Sequence, residues 1–341
     1  RYGKTSLVRK LFDEAGKQGT VGILVDMKGV LTLADIVTRV GRGFGALQGP
    51  VAKALRPSLE GIEAQFNVSV AGTGGGGGVR RRGRPANEEG ALFALLDLPV
   101  KFTGKGWKQV IVCFDEFQDV LAVEAADDKL RSAIQHQPDT ISYVFAGSEP
   151  RLMNQLFAQR RRAFWSQAEP LALEPLDATD CAEYIAARFT ETGMDVGDAL
   201  GPLLRTAQGH PQRTMLLASK LWSRTETAGG EATLETWQQA LVAAKLQVEP
   251  ECEAQWRGAS TREQRVLRAV CLNDGRPYRK AATEAVGIPS GSVETAAAAL
   301  VEQTVLRRVE TGRFTFIDPL YELYVHDLAE SALPAEDGER D

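Results

Sequence analysis

The chain opens on the stretch Arg1-Tyr2-Gly3-Lys4-Thr5-Ser6-Leu7, and this stretch decides the fold. It matches the second half of the phosphate-binding loop G-x-x-x-x-G-K-[ST], to which Gly3, Lys4 and Thr5 supply the Gly-Lys-Thr. In such a loop backbone N–H groups cradle phosphates, the Lys reaches the β- and γ-oxygens, and the hydroxyl ligates Mg²⁺. Half a motif carries little weight alone, so its meaning depends on the rest of the chain.

Composition limits the class of protein. The chain has 341 residues, 43% of them hydrophobic and 25% charged, as in soluble globular proteins of two or three domains. A net charge of −5 gives no general attraction to nucleic acid or to an anionic membrane. No apolar run approaches the roughly 20 residues that cross a bilayer. The scattered cysteines indicate reduced thiols, so we expect a cytoplasmic protein without membrane contact.

A second motif follows the apolar run Val110-Ile111-Val112-Cys113-Phe114, which predicts a buried strand ending at Asp115 and Glu116. In ATP hydrolysis one such carboxylate holds Mg²⁺ and the other polarises the attacking water. A single carboxylate after a strand is common by chance. A pair that follows a Gly-Lys-Thr, with strand and helix segments between, is not. We therefore predict that Asp115 holds Mg²⁺ and that Glu116 activates water.

A third apolar stretch, 141–147, predicts a strand that ends at Ser148. Ligands bind at the carboxyl edge of open α/β sheets, so a hydroxyl there can orient the water or touch the γ-phosphate. Taken alone, Ser148 is more often the N-cap of a helix that starts at Glu149, and it could do both.

Three arginines, Arg160, Arg161 and Arg162, come before the aromatic pair Phe164-Trp165. An arginine placed there could stabilise charge in the transition state. Because consecutive arginines are usually solvated, we expect at most one of them to act. We choose Arg162, the nearest to the aromatic pair.

The remaining segments of the first half predict a buried strand over 21–25, an exposed hairpin arm over 66–70 and a short strand over 171–173. The glycine-rich stretch 72–78 cannot hold regular structure. The basic run 80–84 could meet a phosphate backbone, but a solvated charged loop is the better interpretation.

The second half of the sequence changes to helical segments from Asp177 onward. Gly209-His210-Pro211 separates two of them, and either faces a nucleotide base or is a plain turn. Residues 260–317 predict three helices and a β-hairpin, the pattern of a winged helix-turn-helix. Its would-be recognition helix, 292–302, has two Glu and no Lys or Arg. Base and phosphate contacts rely on Arg and Lys, so a protein-docking or clamp role is favoured over DNA reading.

These segments together predict an α/β fold with a parallel sheet in the core. We expect the core over residues 1–175, a helical lid over 176–250, the winged helix over 258–328 and a disordered acidic tail over 329–341.

The order of the motifs resembles that of the archaeal-type ATPases, AAA- and STAND-related P-loop proteins that are distantly similar to origin-recognition ATPases. The resemblance spans roughly residues 1–325 and is carried by Gly3-Lys4-Thr5-Ser6, Phe114-Asp115-Glu116-Phe117, Phe145-Ala146-Gly147-Ser148, Arg162-Ala163-Phe164-Trp165 and Gly209-His210-Pro211. It implies a P-loop hydrolase that binds ATP with Mg²⁺ and couples slow hydrolysis to a conformational switch.

The resemblance also implies a role for each matched residue. Gly3, Lys4, Thr5 and Ser6 form the Walker A phosphate loop, with Thr5 also on Mg²⁺. Asp115 and Glu116 are the Walker B pair and Ser148 is a sensor of the phosphates. Arg162 reports on the phosphates, and His210 with Pro211 packs near adenine.

This sequence departs from the family pattern at three places. The first Gly of the loop would lie before Arg1, from which we expect a chain cut within the motif that binds ATP poorly as residues 1–341 alone. Ala163 stands where the family often has Pro. Gln212-Arg213 replaces aromatic residues after Gly209-His210-Pro211, which weakens the adenine role and offers Arg213 as a phosphate-sensing side chain.

Two functional hypotheses follow. In the first, the protein is an ATP-driven switch with a protein partner or self-association. In the alternative, it is a DNA-binding ATPase of the replication-initiator type, supported only by the basic run 80–84 and the arginines of the predicted wing.

Overall fold

The computed structural model describes residues 2–70, 86–103, 107–287 and 289–331. They form two compact units, Gly3–Ala172 and a second unit that begins at Leu173 and also includes Tyr2. The glycine-rich stretch, the basic run over 80–84 and the end of the predicted tail lie outside the described residues. No helix in the described ranges is both long enough and apolar enough to cross a bilayer.

The first unit is built on a parallel sheet. Its strands are β1 (Thr20–Asp26), β2 (Gln109–Asp115) and β3 (Ile141–Phe145), in the order β1-β2-β3. Asp26 pairs with Asp115 and Phe114 pairs with Phe145, so the three strands end at one edge of the sheet. The predicted α/β class with a parallel sheet is therefore confirmed.

Helices cover the sheet and connect its strands. They are α1 (Lys4–Gly16), α2 (Leu33–Gly45), α3 (Gly49–Phe66), α4 (Glu88–Leu96), α5 (Leu98–Phe102), α6 (Ala126–Ile134) and α7 (Pro150–Phe157). A 3₁₀ helix, Phe117–Ala122, follows β2. Helix α2 begins with a capping box between Thr32 and Asp35, which satisfies backbone donors at its first turn.

A cluster of phenylalanines fixes the chain beyond the ends of β2 and β3. The Phe117 ring lies 4.6 Å from that of Phe145 and 5.3 Å, edge on, from that of Phe164. Phe157 of α7 joins the same cluster. Edge-to-face aromatic contacts add to the burial of large apolar area, so the loops that leave this sheet edge are anchored rather than free.

Two predicted strand segments of the first unit are wrong. Residues 66–70 do not form a hairpin arm, because Phe66 ends α3 and both Val68 and Val70 are buried. The alternation of apolar and polar residues instead reflects a loop that packs onto α2, where a Cβ on Gly41 would lie 2.1 Å from Val70. Residues 171–173 are not a strand either, and the Leu171 side chain is 81% exposed.

The second unit is mainly helical. Its helices are α8 (Ala178–Glu191), α9 (Leu200–Ala207), α10 (Pro211–Thr227), α11 (Leu234–Gly258), α12 (Thr261–Leu272), α13 (Lys280–Ala285), α14 (Ser290–Glu302) and α15 (Pro319–Glu330). The antiparallel strands β4 (Leu306–Glu310) and β5 (Arg313–Phe316) lie between α14 and α15. This is the element order expected of a winged helix, and that assignment stays a prediction. Helix α11 crosses the predicted boundary at 250–258, and α15 runs into the segment predicted as a tail.

A buried ion-pair network joins three helices of this unit. The Nε of Arg213, on α10, donates to the two carboxylate oxygens of Asp318 at 3.0 and 2.9 Å, and its Nη2 lies 3.2 Å from Glu251 on α11. Asp318 is also the N-cap of α15 and accepts from the backbone N–H of Leu320. Burial would raise the pKa of Asp318, but the hydrogen bonds and charge of Arg213 hold it below its usual value.

Replacing Arg213 by Ala should destabilise the second unit by about 3 kcal/mol, because Asp318 is then left as a buried charge without its partner. Arg257→Ala is the matched control, since Arg257 pairs with Glu253 at the surface and its side chain is 75% exposed. That control should cost at most about 0.5 kcal/mol. Chemical denaturation followed by circular dichroism measures both. Equal losses from the two variants would contradict the structural role of the buried network.

Candidate nucleotide-binding site

The predicted phosphate loop leads directly into α1. Gly3 is the N-cap of this helix and has φ 76°, in the left-handed region that favours glycine. Lys4, Thr5 and Ser6 form the first helical turn, where backbone N–H groups have no partner within the helix. The helix dipole adds partial positive charge at the same end, so the turn suits an anionic group such as a phosphate.

The end of β2 meets this helical turn through a side-chain hydrogen bond. The Thr5 hydroxyl donates to Asp115 Oδ2 at 2.6 Å, and Asp115 is only 9% exposed. Its backbone carbonyl accepts from the N–H of Met27, which follows β1. The structure therefore brings together the two residues predicted to hold Mg²⁺. A hydroxyl and a carboxylate are hard oxygen donors, the kind that Mg²⁺ takes alongside nucleotide phosphates, so the residues present fit the ion.

Glu116, directly after β2, has a defined orientation. Its φ of 51° lies in the left-handed region, which is uncommon for a side chain of this size. Its Oε2 accepts hydrogen bonds from the hydroxyl of Ser148 at 2.5 Å, from the backbone N–H of Ser148 at 3.2 Å and from Nε2 of Gln118 at 2.7 Å. The loops that follow β2 and β3 thus hold one carboxylate oxygen between them.

The charge state of Glu116 follows from these contacts. Burial would raise its pKa, but the hydrogen bonds from Ser148 and Gln118 and the nearby charge of Lys4 lower it below the usual value. Glu116 is therefore ionised at neutral pH. The same contact with Lys4 ties the phosphate loop electrostatically to the end of β2.

Ser148 does not cap the following helix. The N-cap of α7 is Glu149, which makes no side-chain capping bond, and Pro150 begins the helix. The interpretation of Ser148 as an N-cap is therefore wrong, because its hydroxyl is used by Glu116 instead.

The three arginines lie in different surroundings. Arg162 Nη1 is 3.3 Å from Oδ2 of Asp127, a residue of α6 that is only 4% exposed. The guanidinium of Arg160 lies 5.8 Å from the centre of the Trp165 ring, and Arg161 is exposed. The contact that the structure gives Arg162 is thus an ion pair with α6, and its predicted role near the phosphates stays a prediction.

His210 and Pro211 belong to the second unit. His210 is the N-cap of α10, where its Nδ1 accepts the backbone N–H of Arg213 at 3.2 Å, and Pro211 is the first residue of the helix. Burial lowers the pKa of His210, which favours the neutral ring. Arg213, offered above as a phosphate sensor, is instead committed to Asp318, and a phosphate could take it only if that ion pair broke.

Sequence reasoning missed Gln118 and Asp119. Gln118 is buried and donates to both Glu116 and Asp119, and Asp119 Oδ2 accepts the backbone N–H of Gly29 at 2.6 Å. The available signal was the polar pair Gln118-Asp119 in the otherwise apolar run 117–122, directly after the two predicted carboxylates. Such a pair in a strand-end loop is a candidate for supporting contacts.

The parallel sheet, the glycine turn into α1 and the carboxylate pair after β2 define the fold of a P-loop ATPase. Three solved structures are similar to this chain. The Walker-type ATPase PABY2304 of Pyrococcus abyssi aligns with a TM-score of 0.66 and 18% identity over 95% of this chain and 88% of that one. The ORC2 protein of Aeropyrum pernix aligns in its ADPNP-ADP complexes with a TM-score of 0.57 and 15% identity over 97% and 84% of the two chains. The ADP form of that protein gives 0.53 and 14% over 97% and 85%.

At these identities the similarity establishes a shared fold and nothing further. No protein-family profile matches the sequence, and no curated protein matches it.

Proposed function

We propose that this protein is a cytoplasmic ATPase that binds ATP with Mg²⁺, hydrolyses it slowly, and works as a nucleotide-dependent switch. The observation that supports this most is the hydrogen bond from Thr5 to Asp115, because it brings the phosphate loop to the carboxylate pair. The structures of similar fold include complexes of the Aeropyrum ORC2 protein with ADPNP and ADP.

Binding would use the first turn of α1. The backbone N–H groups of Lys4, Thr5 and Ser6 face the phosphates, and the Lys4 ammonium balances their charge. Thr5 and Asp115 would hold Mg²⁺, which supplies charge neutralisation on the phosphate oxygens when it is bound. Gly3 permits the left-handed turn that exposes these donors.

Hydrolysis would use Glu116. The three hydrogen bonds described above all go to its Oε2, so Oε1 is the oxygen that remains to accept a proton of the attacking water. Ser148 would sense the γ-phosphate through the same hydroxyl that contacts Glu116. Arg162 would act only after leaving Asp127, which makes it a residue that responds to a rearrangement.

The second unit would transmit the nucleotide state. We assign the helices up to α11 to a lid and the segment from α12 onward to a winged helix that docks on a protein partner or on a second copy. His210 and Pro211 begin α10 at the turn proposed to pack near adenine.

The DNA-binding alternative has weak support in the arrangement of charges. In the described part of the predicted winged helix, Arg276 lies 2.8 Å from Glu310, Arg307 lies 3.1 Å from Glu174 and Arg308 lies 3.3 Å from Glu294. Glu294 is on α14, the helix that would enter the groove. Arginines that already face carboxylates have less positive potential to offer a phosphate backbone.

Replacing Glu116 by Gln should lower kcat for ATP at least about a hundredfold while ATP remains bound, because only the water-activating carboxylate is lost. Turnover and nucleotide affinity of the full-length protein measure the two effects separately. The matched control is Glu124→Gln at an exposed position, which should turn over like the wild type. Undiminished hydrolysis in the Glu116 variant would show that the base is wrongly assigned.

DNA binding is expected to be absent or only weakly dependent on salt. A protein that neutralises several phosphates loses affinity steeply, by about 10³-fold or more between 50 and 200 mM salt. A titration of the full-length protein with duplex DNA over this range distinguishes the two hypotheses. A steep loss starting from tight binding would favour the replication-initiator alternative over the protein-docking switch.

A further inference from the structure

We propose that Gln118 is a positioning residue for ATP hydrolysis, whose buried side-chain amide holds the Glu116 carboxylate in the orientation that faces the attacking water. This inference rests on the proposed ATPase function and extends it to a residue outside the phosphate loop and the carboxylate pair. It predicts that an uncharged side chain that touches no nucleotide sets the rate of the chemical step.

Gln118 is at the centre of a chain of hydrogen bonds along the sheet edge. Its Nε2 donates to Glu116 Oε2 at 2.7 Å and to Asp119 Oδ1 at 3.1 Å. Asp119 in turn accepts from the backbone N–H of Gly29, in the loop after β1, and Glu116 accepts from Ser148, in the loop after β3. The amide therefore links the loops that follow all three strands.

Two donors on opposite loops restrict Glu116 more than one does. Ser148 alone would leave the carboxylate free to swing about its contact with the loop after β3. Gln118 approaches the same Oε2 from the 3₁₀ helix after β2, so the position of that oxygen is fixed from both loops. A misplacement of about 1 Å at a reacting group can cost about a hundredfold in rate, so such a restraint matters.

The amide comes at a cost that packing alone does not explain. Gln118 is 3% exposed, and its Oε1 is buried without a hydrogen-bond partner among the described residues. The opposite orientation of the amide would place this oxygen against the carboxylates of Glu116 and Asp119, so it is excluded. An apolar side chain of the same shape would avoid the unsatisfied carbonyl, which indicates that the donor is retained for what it does to Glu116.

The neighbouring glycine leaves room for this amide. A Cβ on Gly147 would lie 2.6 Å from Gln118 Oε1 and 2.5 Å from Met153 Sδ, and both distances are too short for real contacts. Gly147 directly precedes Ser148, so the loop after β3 approaches closely enough for both donors to reach Glu116 only because this residue has no side chain.

The test is Gln118→Met in the full-length protein, which keeps the shape of the side chain and removes the donor. We expect kcat for ATP to fall about 10- to 100-fold, with the Kd for ATP changed less than about twofold. The unfolding midpoint should stay the same or rise, because the unsatisfied carbonyl is gone. An unchanged kcat would overturn the proposal. So would a loss of activity that only follows a loss of stability.

Gln137→Met is the matched control. Gln137 has its amide satisfied, donating to the carbonyl of Leu96 at 2.8 Å and accepting from the Tyr143 hydroxyl at 2.6 Å, away from Glu116. This variant should lower the unfolding midpoint and leave kcat within about twofold of wild type. The two glutamines are thus expected to respond in opposite ways.

A double variant and a structure separate this inference from the proposed function. Adding Gln118→Met to Glu116→Gln should lower kcat no further, because both changes act on the same carboxylate. If the wild type hydrolyses no ATP, the ATPase proposal fails, and the crystal structure of Gln118→Met still decides the positioning role. Displacement of the Glu116 carboxylate from its place beside Ser148 supports that role, and an unmoved carboxylate overturns it.

Discussion

The hydrogen bond between Thr5 and Asp115 is the contact on which the candidate site depends. It joins the first turn of a helix to the end of a strand across 110 residues of sequence, so it exists only if the sheet and α1 are correctly assembled. Parallel pairing then brings the ends of β1 and β3 to the same edge. The carboxylates, the serine and the amide are placed by that topology, and the phenylalanine cluster beneath them keeps the loops from drifting.

Charge pairing distinguishes the two units. In the first, Glu116 is partly exposed and its carboxylate contacts a hydroxyl, an amide and the field of Lys4, which leaves it able to bind water. In the second, Arg213 is enclosed by carboxylates and serves to connect helices. Buried ion pairs contribute less net stability than their geometry suggests, but removing one partner is costly, so this network suits an element that must keep a single arrangement until something displaces it.

Much of the fold could be predicted from the sequence because buried parallel strands are continuous apolar runs with polar residues at their ends. Asp115, Glu116 and Ser148 were found in this way. Val68 and Val70 were misread because a loop that packs against a glycine shows the same alternation as an exposed strand. The partners of Arg162 and Arg213, namely Asp127 and Asp318, could not be predicted, since long side chains choose among many carboxylates only when tertiary structure brings one close. Gln118 was missed because a glutamine has no charge to mark it.

The most direct test of the account is a crystal structure of the full-length protein with Mg²⁺ and a non-hydrolysable ATP analogue. The account predicts the phosphates at the first turn of α1, with the Thr5 hydroxyl and the Asp115 carboxylate turned from each other toward the metal ion. Glu116 should face the γ-phosphate while still held by Ser148 and Gln118. A nucleotide bound elsewhere, or a Thr5–Asp115 hydrogen bond left intact beside bound nucleotide, would contradict the central claim.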